Sequence, residues 1–202
     1  MTTIGILGAG MVGSHLARAF AKAGNEVMLS SRNPDSEKMR AYLADIPGGQ
    51  SGTVLQTVAF GDIIVVAIGW QNGLVETLNT VESWAGKILV DTTNRFNSSS
   101  TLTTTEEIAE LTGSPVVKAI NTIGAEHMDA PQFGDDVPSM FIAGHEEARQ
   151  IVSPLIEAIG FDLVDLGGIE HTKELETLAQ IWVGLAMRQK MGRNIAFKLL
   201  RK

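Results

Sequence analysis

The sequence predicts a doubly wound α/β domain with a mostly parallel sheet, followed by a C-terminal helical segment. Three observations predict it. The apolar run Thr3-Ile4-Gly5-Ile6-Leu7 leads directly into Gly8-Ala9-Gly10-Met11-Val12-Gly13 and a helical pattern. Asp62-Ile63-Ile64-Val65-Val66-Ala67-Ile68 is a continuous β-branched run of the kind buried on both faces of a parallel sheet. Strand and helix patterns then alternate through six or more units, without internal repeats or a linker between domains.

The first unit reads strand, glycine turn, helix, strand. A GxGxxG hexapeptide carries little weight alone, but here it follows a buried-strand pattern and opens a helix over residues 11–23, apolar at Leu16, Ala19, Phe20 and Ala23. That is the setting of a Rossmann-type dinucleotide fingerprint. Gly8 permits the tight turn, Gly10 lets backbone approach a pyrophosphate, and Gly13 allows close packing of helix on sheet. The free amides around Met11 and Val12 then face the anion. A tight β-to-α turn without a ligand is the bland alternative.

The end of the second strand, Val27-Met28-Leu29-Ser30-Ser31-Arg32, indicates which dinucleotide. An NAD site places Asp or Glu there for the ribose hydroxyls, whereas an NADP site supplies Arg and small hydroxyl donors for the 2′-phosphate. The chain has Ser31 and Arg32 and no carboxylate at that point, which favours NADP(H) over a merely solvated arginine. Lys38, in a helix expected over residues 34–44, is a candidate second cation.

Residues 46–52 read as a loop by composition, and residues 53–58 as a short strand or turn. After the β-branched strand come Ile68, Gly69 and Trp70, at a carboxyl strand end where open α/β sheets bind ligands. Trp70 either flanks a nicotinamide or flavin-like ring or is a packing tryptophan. A helix over residues 72–84 leads to the strand Lys87-Ile88-Leu89-Val90-Asp91 and to Thr92-Thr93-Asn94. Asn94 is placed either for cofactor contacts or for helix capping.

The Ser/Thr-rich residues 95–104 read as a mobile connection. A short helix over 106–111 and a strand over 115–120 end at the polar corner Asn121-Thr122-Ile123. Strand, helix and strand follow over 137–143, 145–159 and 161–166. The last segment has Leu175, Leu178, Ala179, Trp182, Leu185 and Ala186 at helical spacing, then Gly192 and two apolar turns over 195–200. So apolar a helix needs a partner, either the chain's own sheet or a second subunit, and lining a substrate pocket is compatible with both. Residues 1–168 are expected to form the nucleotide-binding domain and 169–202 a helical segment packing on it and on a second subunit.

With 202 residues and 44% hydrophobic content, the chain can fill one such domain. Its net charge of −7 argues against general nucleic-acid binding. It has no cysteine, hence no disulfide or thiolate metal site. No membrane-spanning stretch or secretory signal is evident, so the cytoplasm is the default expectation. The four histidines, His15, His127, His145 and His171, lack metal-ligand spacing, and the single tyrosine, Tyr42, sits far from any strand end. No catalytic acid, base or nucleophile is therefore expected. That suits hydride exchange between two stacked rings, where the cofactors supply the chemistry and the protein supplies orientation.

These residues resemble the NADPH-dependent reductases of coenzyme F420, a deazaflavin, and the related NADPH-binding cytoplasmic domains of membrane metalloreductases. The resemblance rests on the glycine hexapeptide, Ser31-Arg32, Ala67-Ile68-Gly69-Trp70, the stretch Val116-Val117-Lys118-Ala119-Ile120-Asn121-Thr122-Ile123, and the segment from Leu175-Glu176-Thr177-Leu178 through Gly192 to Leu200. It implies that Ser31 and Arg32 hold the 2′-phosphate. It also implies that Trp70, Asn121 and Ile123 enclose a small-molecule hydride acceptor, coenzyme F420 or a flavin, and that the chain is a homodimer. An imine or carbonyl reductase and a non-catalytic NADPH sensor are the alternatives.

Overall fold

The computed structural model describes residues 1–96 and 99–202. The connection expected over 95–104 therefore lies partly outside the described residues, at 97 and 98.

Strand β1 (Thr3–Leu7) is central, and the chain first moves to one side of it. Helix α1 (Met11–Lys22) returns it to β2 (Glu26–Ser30), and α2 (Glu37–Leu43) to β3 (Gln50–Gly52). Helix α3 (Val54–Phe60) then carries it back across β1 to β4 (Ile63–Val66). Outward from β4 lie β5 (Ile88–Asp91), β6 (Val116–Lys118), β7 (Ser139–Gly144) and β8 (Asp162–Asp165), reached through α4 (Leu74–Asn79), α5 (Thr104–Thr112) and α6 (Glu146–Ala158). The strand order is β3-β2-β1-β4-β5-β6-β7-β8, parallel throughout except that β7 runs antiparallel to β6. The reversal of direction at β1 leaves a crevice outside the carboxyl ends of β1 and β4.

Alternate side chains of the strands feed two cores, one on each face. Ile4, Ile6, Ile63, Val65, Ile88 and Val90 pack with Leu16 and Phe20 of α1 and with Val152 and Ile156 of α6. Leu7, Ile64, Val66 and Leu89 pack with Val58, Leu74, Leu78 and Ile108 of α3, α4 and α5. Burial on both faces is why these strands read as continuous apolar runs instead of alternating ones.

Four local expectations are corrected. Residues 50–52 of the expected loop form β3, paired with Met28 to Ser30 of β2; an edge strand is held by main-chain bonds and needs no apolar pattern. Residues 53–58 are helical, because Thr53 and Gln56 form a reciprocal capping box at the start of α3. The helix expected over 72–84 is cut to α4, since Gly73 at φ 83° separates it from a 3₁₀ turn at Trp70–Asn72. Residues 195–200 form no helix.

That tail follows α7 (Thr172–Val183) and a π-helical turn at Gly184–Arg188. Its main chain is engaged elsewhere: Trp182 Nε1 donates to Ile195 O at 2.9 Å, Ser139 N to Phe197 O at 2.9 Å, and Leu199 N to Ser139 Oγ at 3.0 Å. Among the described residues, no helix is long and apolar enough to cross a membrane.

Candidate dinucleotide site and the adjoining cavity

The glycine turn is built by steric demand. Gly8 adopts φ 111°, a conformation that L side chains rarely adopt, and its N–H donates to Ser30 Oγ at 3.0 Å, tying the turn to the end of β2. A Cβ on Gly13 would stand 1.8 Å from Gly8 O, so only glycine lets α1 start this close to the turn. At Gly10, the N-cap of α1, a Cβ would meet nothing within 4 Å; the space in front of the helix start is open. Gly10 offers no side-chain cap and the first turn carries no acidic residue. The first amides of α1 thus face an open, uncapped cradle suited to an anion.

A cavity of about 490 Å³ opens there. It brings together Gly8, Gly10, Ser31, Arg32, Lys38, Ile68 and Gly69, all expected from sequence, with Ser30, Val54, Asn72 and Thr77, which were not. Among the described residues, its lining holds two cations, Arg32 and Lys38, and no carboxylate. Arg32 is exposed and makes no hydrogen bond or ion pair among the described residues, leaving its guanidinium available. The donor set fits a dinucleotide bearing an additional phosphate: amides and a helix terminus at one end, Ser31, Arg32 and Lys38 at the other. Ser30 could have been found in the sequence, because it ends the strand that the fingerprint places beside the turn.

A second cavity, about 170 Å³, lies on the other side of the α1 start. Val12, Asn94, Asn121 and Ile123 line it, together with Phe96, Ile120, Met128, Trp182 and Arg193. Sequence reading missed Arg193, whose place depends on the tail folding back. Its guanidinium forms a bidentate pair with Glu126 at 2.7 and 2.8 Å and lies 5.5 Å from the Trp182 ring. The Arg193 hydrogen bonds, partly opposed by burial, hold the Glu126 carboxyl down to about 2.

Three expected residues line neither cavity. Met11 is 61% exposed at the helix start and Gly13 is buried behind it, so each can act only through its backbone. Trp70 is half-buried under Arg95, whose guanidinium stacks 4.4 Å from its ring; its indole N–H donates to Thr93. Thr93 belongs to a buried network absent from the sequence reading. Asp91 accepts from Thr93 N and Oγ1, from Thr104 and Thr105 hydroxyls, and from Lys118 Nζ at 2.9 Å. Glu176 of α7 lies 3.6 Å from Lys118 and accepts from Thr104 N at 2.7 Å. Burial works to raise the Asp91 pKa, but the Lys118 charge and the Thr104 and Thr93 hydrogen bonds outweigh it and hold it below the ordinary value.

Residues 3–95 match the protein family described as NADP oxidoreductase, coenzyme F420-dependent. Through them, just under half of the chain is similar to this family of NADP-dependent oxidoreductases. It is 23% identical to the F420-dependent NADP reductase of Methanothermobacter thermautotrophicus, an alignment covering 95% of this chain and 91% of that one. It is 30% identical over 182 residues to the metalloreductase STEAP3 of Rattus norvegicus, covering 87% of this chain and 36% of the metalloreductase, so it spans about a third of that relative's length. A solved structure from Arthrobacter sp. FB24, provisionally described as an F420-dependent NADP-reductase, superposes with a TM-score of 0.83 at 27% identity and full coverage of both chains. These relatives are of the two kinds, F420-dependent NADP reductases and metalloreductases, that the sequence resembles.

Proposed function

We propose that this chain moves hydride between NADPH and a flat redox ring of the deazaflavin or flavin class. One observation carries the reading. Among the described residues, a cavity with two cations and no carboxylate adjoins, across the start of α1, a mainly apolar cavity lined by no His, Asp, Glu, Lys, Tyr or Cys. The first suits an anionic dinucleotide and the second a ring whose reduction takes no proton from the protein.

In this reading the backbone at Gly8, Gly10, Met11 and Val12 holds the pyrophosphate, with Gly13 permitting the close turn. Ser31, Arg32 and Lys38 hold the 2′-phosphate. Ile68, Gly69 and Asn94 position the nicotinamide half. Trp70, Asn121 and Ile123 bound the acceptor side, Trp70 held by Thr93 and Arg95. NADPH bound there supplies the hydride, and any proton needed comes from water. The deazaflavin is preferred to flavin on the strength of the family and of the Methanothermobacter relative.

A second copy of the chain is the proposed partner of α7. The helix buries Leu175, Ala179 and Trp182 against its own domain, while Ile181, 49% exposed, and Leu178 form an outward apolar patch beside Lys173 and Thr177.

Absorbance-monitored oxidation of NADPH, with coenzyme F420, FMN, FAD and ferric chelates offered separately, tests the activity. Saturable turnover with the deazaflavin is the expected result; NADPH binding without oxidation by any of the four would overturn the reading.

A further inference from the structure

We propose that Asn121 Oδ1 is a dedicated acceptor for an N–H group of the ring that enters the 170 Å³ cavity, so that the chain selects ligands by that N–H. The inference rests on the dinucleotide reading above and specifies the chemistry of its inner end.

Asn121 is 5% exposed and lines the cavity. Its Nδ2 donates to Asn94 Oδ1 at 3.0 Å and to Leu175 O at 3.1 Å, while Asn94 Nδ2 donates back to Asn121 O at 2.8 Å. Both partners of Nδ2 are acceptors, so exchanging the amide N and O would set oxygen against oxygen twice, and the orientation is thereby fixed. Oδ1 is left with no partner and is closed to water, so a ring reaches it only as the cavity wall gives way. Among the described residues, only one other buried side-chain atom shares that state, Thr57 Oγ1, which lies under β1 near Gly5 and away from the cavity.

A buried amide oxygen without a donor is costly and survives where a ligand restores the bond. The backbone leading to it is strained as well. Ile120, fully buried and β-branched, adopts φ 57°, in the left-handed region that such residues rarely occupy. Strain of this kind persists where the surrounding structure enforces it, commonly at ligand sites. Here it falls on the residue that sets the direction of Asn121.

Because Oδ1 can only accept, a ketone or aldehyde oxygen gains nothing from it. An amide or imide N–H does. Two groups carry that chemistry, the carboxamide of the nicotinamide and the imide edge of a flavin-type ring, and paired ligands distinguish them. In the first arm, calorimetry compares NADP⁺ with its 3-acetylpyridine analogue, in which a methyl replaces the amide NH₂. In the second, binding and kcat/KM compare the deazaflavin with its N3-methyl derivative.

One arm is expected to show about tenfold discrimination for the N–H partner, the worth of one buried hydrogen bond. In Asn121→Leu that ratio should fall to about one; should this variant not fold, the ratio in the unaltered protein still decides. Ratios near one in both arms, with NADP⁺ bound, would overturn this inference and leave the dinucleotide reading intact. Failure of NADP⁺ to bind would overturn both.

Discussion

The indole N–H of Trp70 donates to Thr93 Oγ1 at 3.0 Å, and the same hydroxyl donates to Asp91 Oδ1 at 2.7 Å. A half-buried aromatic that follows Gly69 of the dinucleotide cavity is thereby fixed to a fully buried carboxylate. Thr93→Val keeps the shape and removes both bonds. It should cost about 1–3 kcal/mol, the penalty for unpaired buried polar groups. Chemical denaturation checks the cost, and an unchanged midpoint would discount the relay.

Lys118→Met leaves Asp91 buried without its counter-charge and should destabilise the fold by about 3–5 kcal/mol, whereas the double substitution with Asp91→Leu should recover most of that loss. Thermal unfolding of the single and double variants decides the matter.

The Asp91 pair also has a defined acid response. Its folded pKa lies below the ordinary 3.8, so its contribution is present above the unfolded value and is lost as pH falls through the folded one. Unfolding free energies should show no loss from this pair between neutrality and about pH 5, and a progressive loss below it.

Arg32→Ala should weaken NADPH by about 1–3 kcal/mol, the loss of one charge-assisted contact, and leave NADH nearly unchanged. Fluorescence titration with the two dinucleotides measures this. Equal losses would remove Arg32 from the 2′-phosphate.

The Glu126–Arg193 clasp holds the tail over the inner cavity. With its carboxyl held down to about 2, the clasp contributes above the unfolded value of 4.5 and is lost only as pH falls through about 2. Hydrogen exchange at the amides of residues 195–199 should stay slow at pH 4. Glu126→Gln should quicken it at any pH, and an unchanged rate would mean that other bonds alone hold the tail.

Ile181→Glu places a charge in the exposed patch of α7. If a second copy covers that patch, scattering-detected gel filtration should show the dimer of the unaltered protein reduced to monomer with NADPH binding retained. A monomer in both proteins would refute the partner.

The sequence by itself determined the first βαβ unit, the glycine turn and the choice of NADP over NAD. Each depends on neighbours in the chain: a turn needs its glycines in order, a buried strand is a run of β-branched side chains, and a missing carboxylate at a strand end can be seen directly. Only the tertiary structure decided what depends on distant residues. Lys118 reads as an ordinary strand residue until β5 sets Asp91 beside it, 27 positions earlier. Asn121 reads as a polar corner until Asn94 and Leu175 occupy its donors and leave its oxygen alone. The tail over 195–200 has helical spacing, yet it forms no helix, and Ser139 and Trp182 bond to its carbonyls instead. Local periodicity reports which face of an element is apolar; it does not report which distant group will satisfy a buried polar atom, and here that assignment shapes the inner cavity.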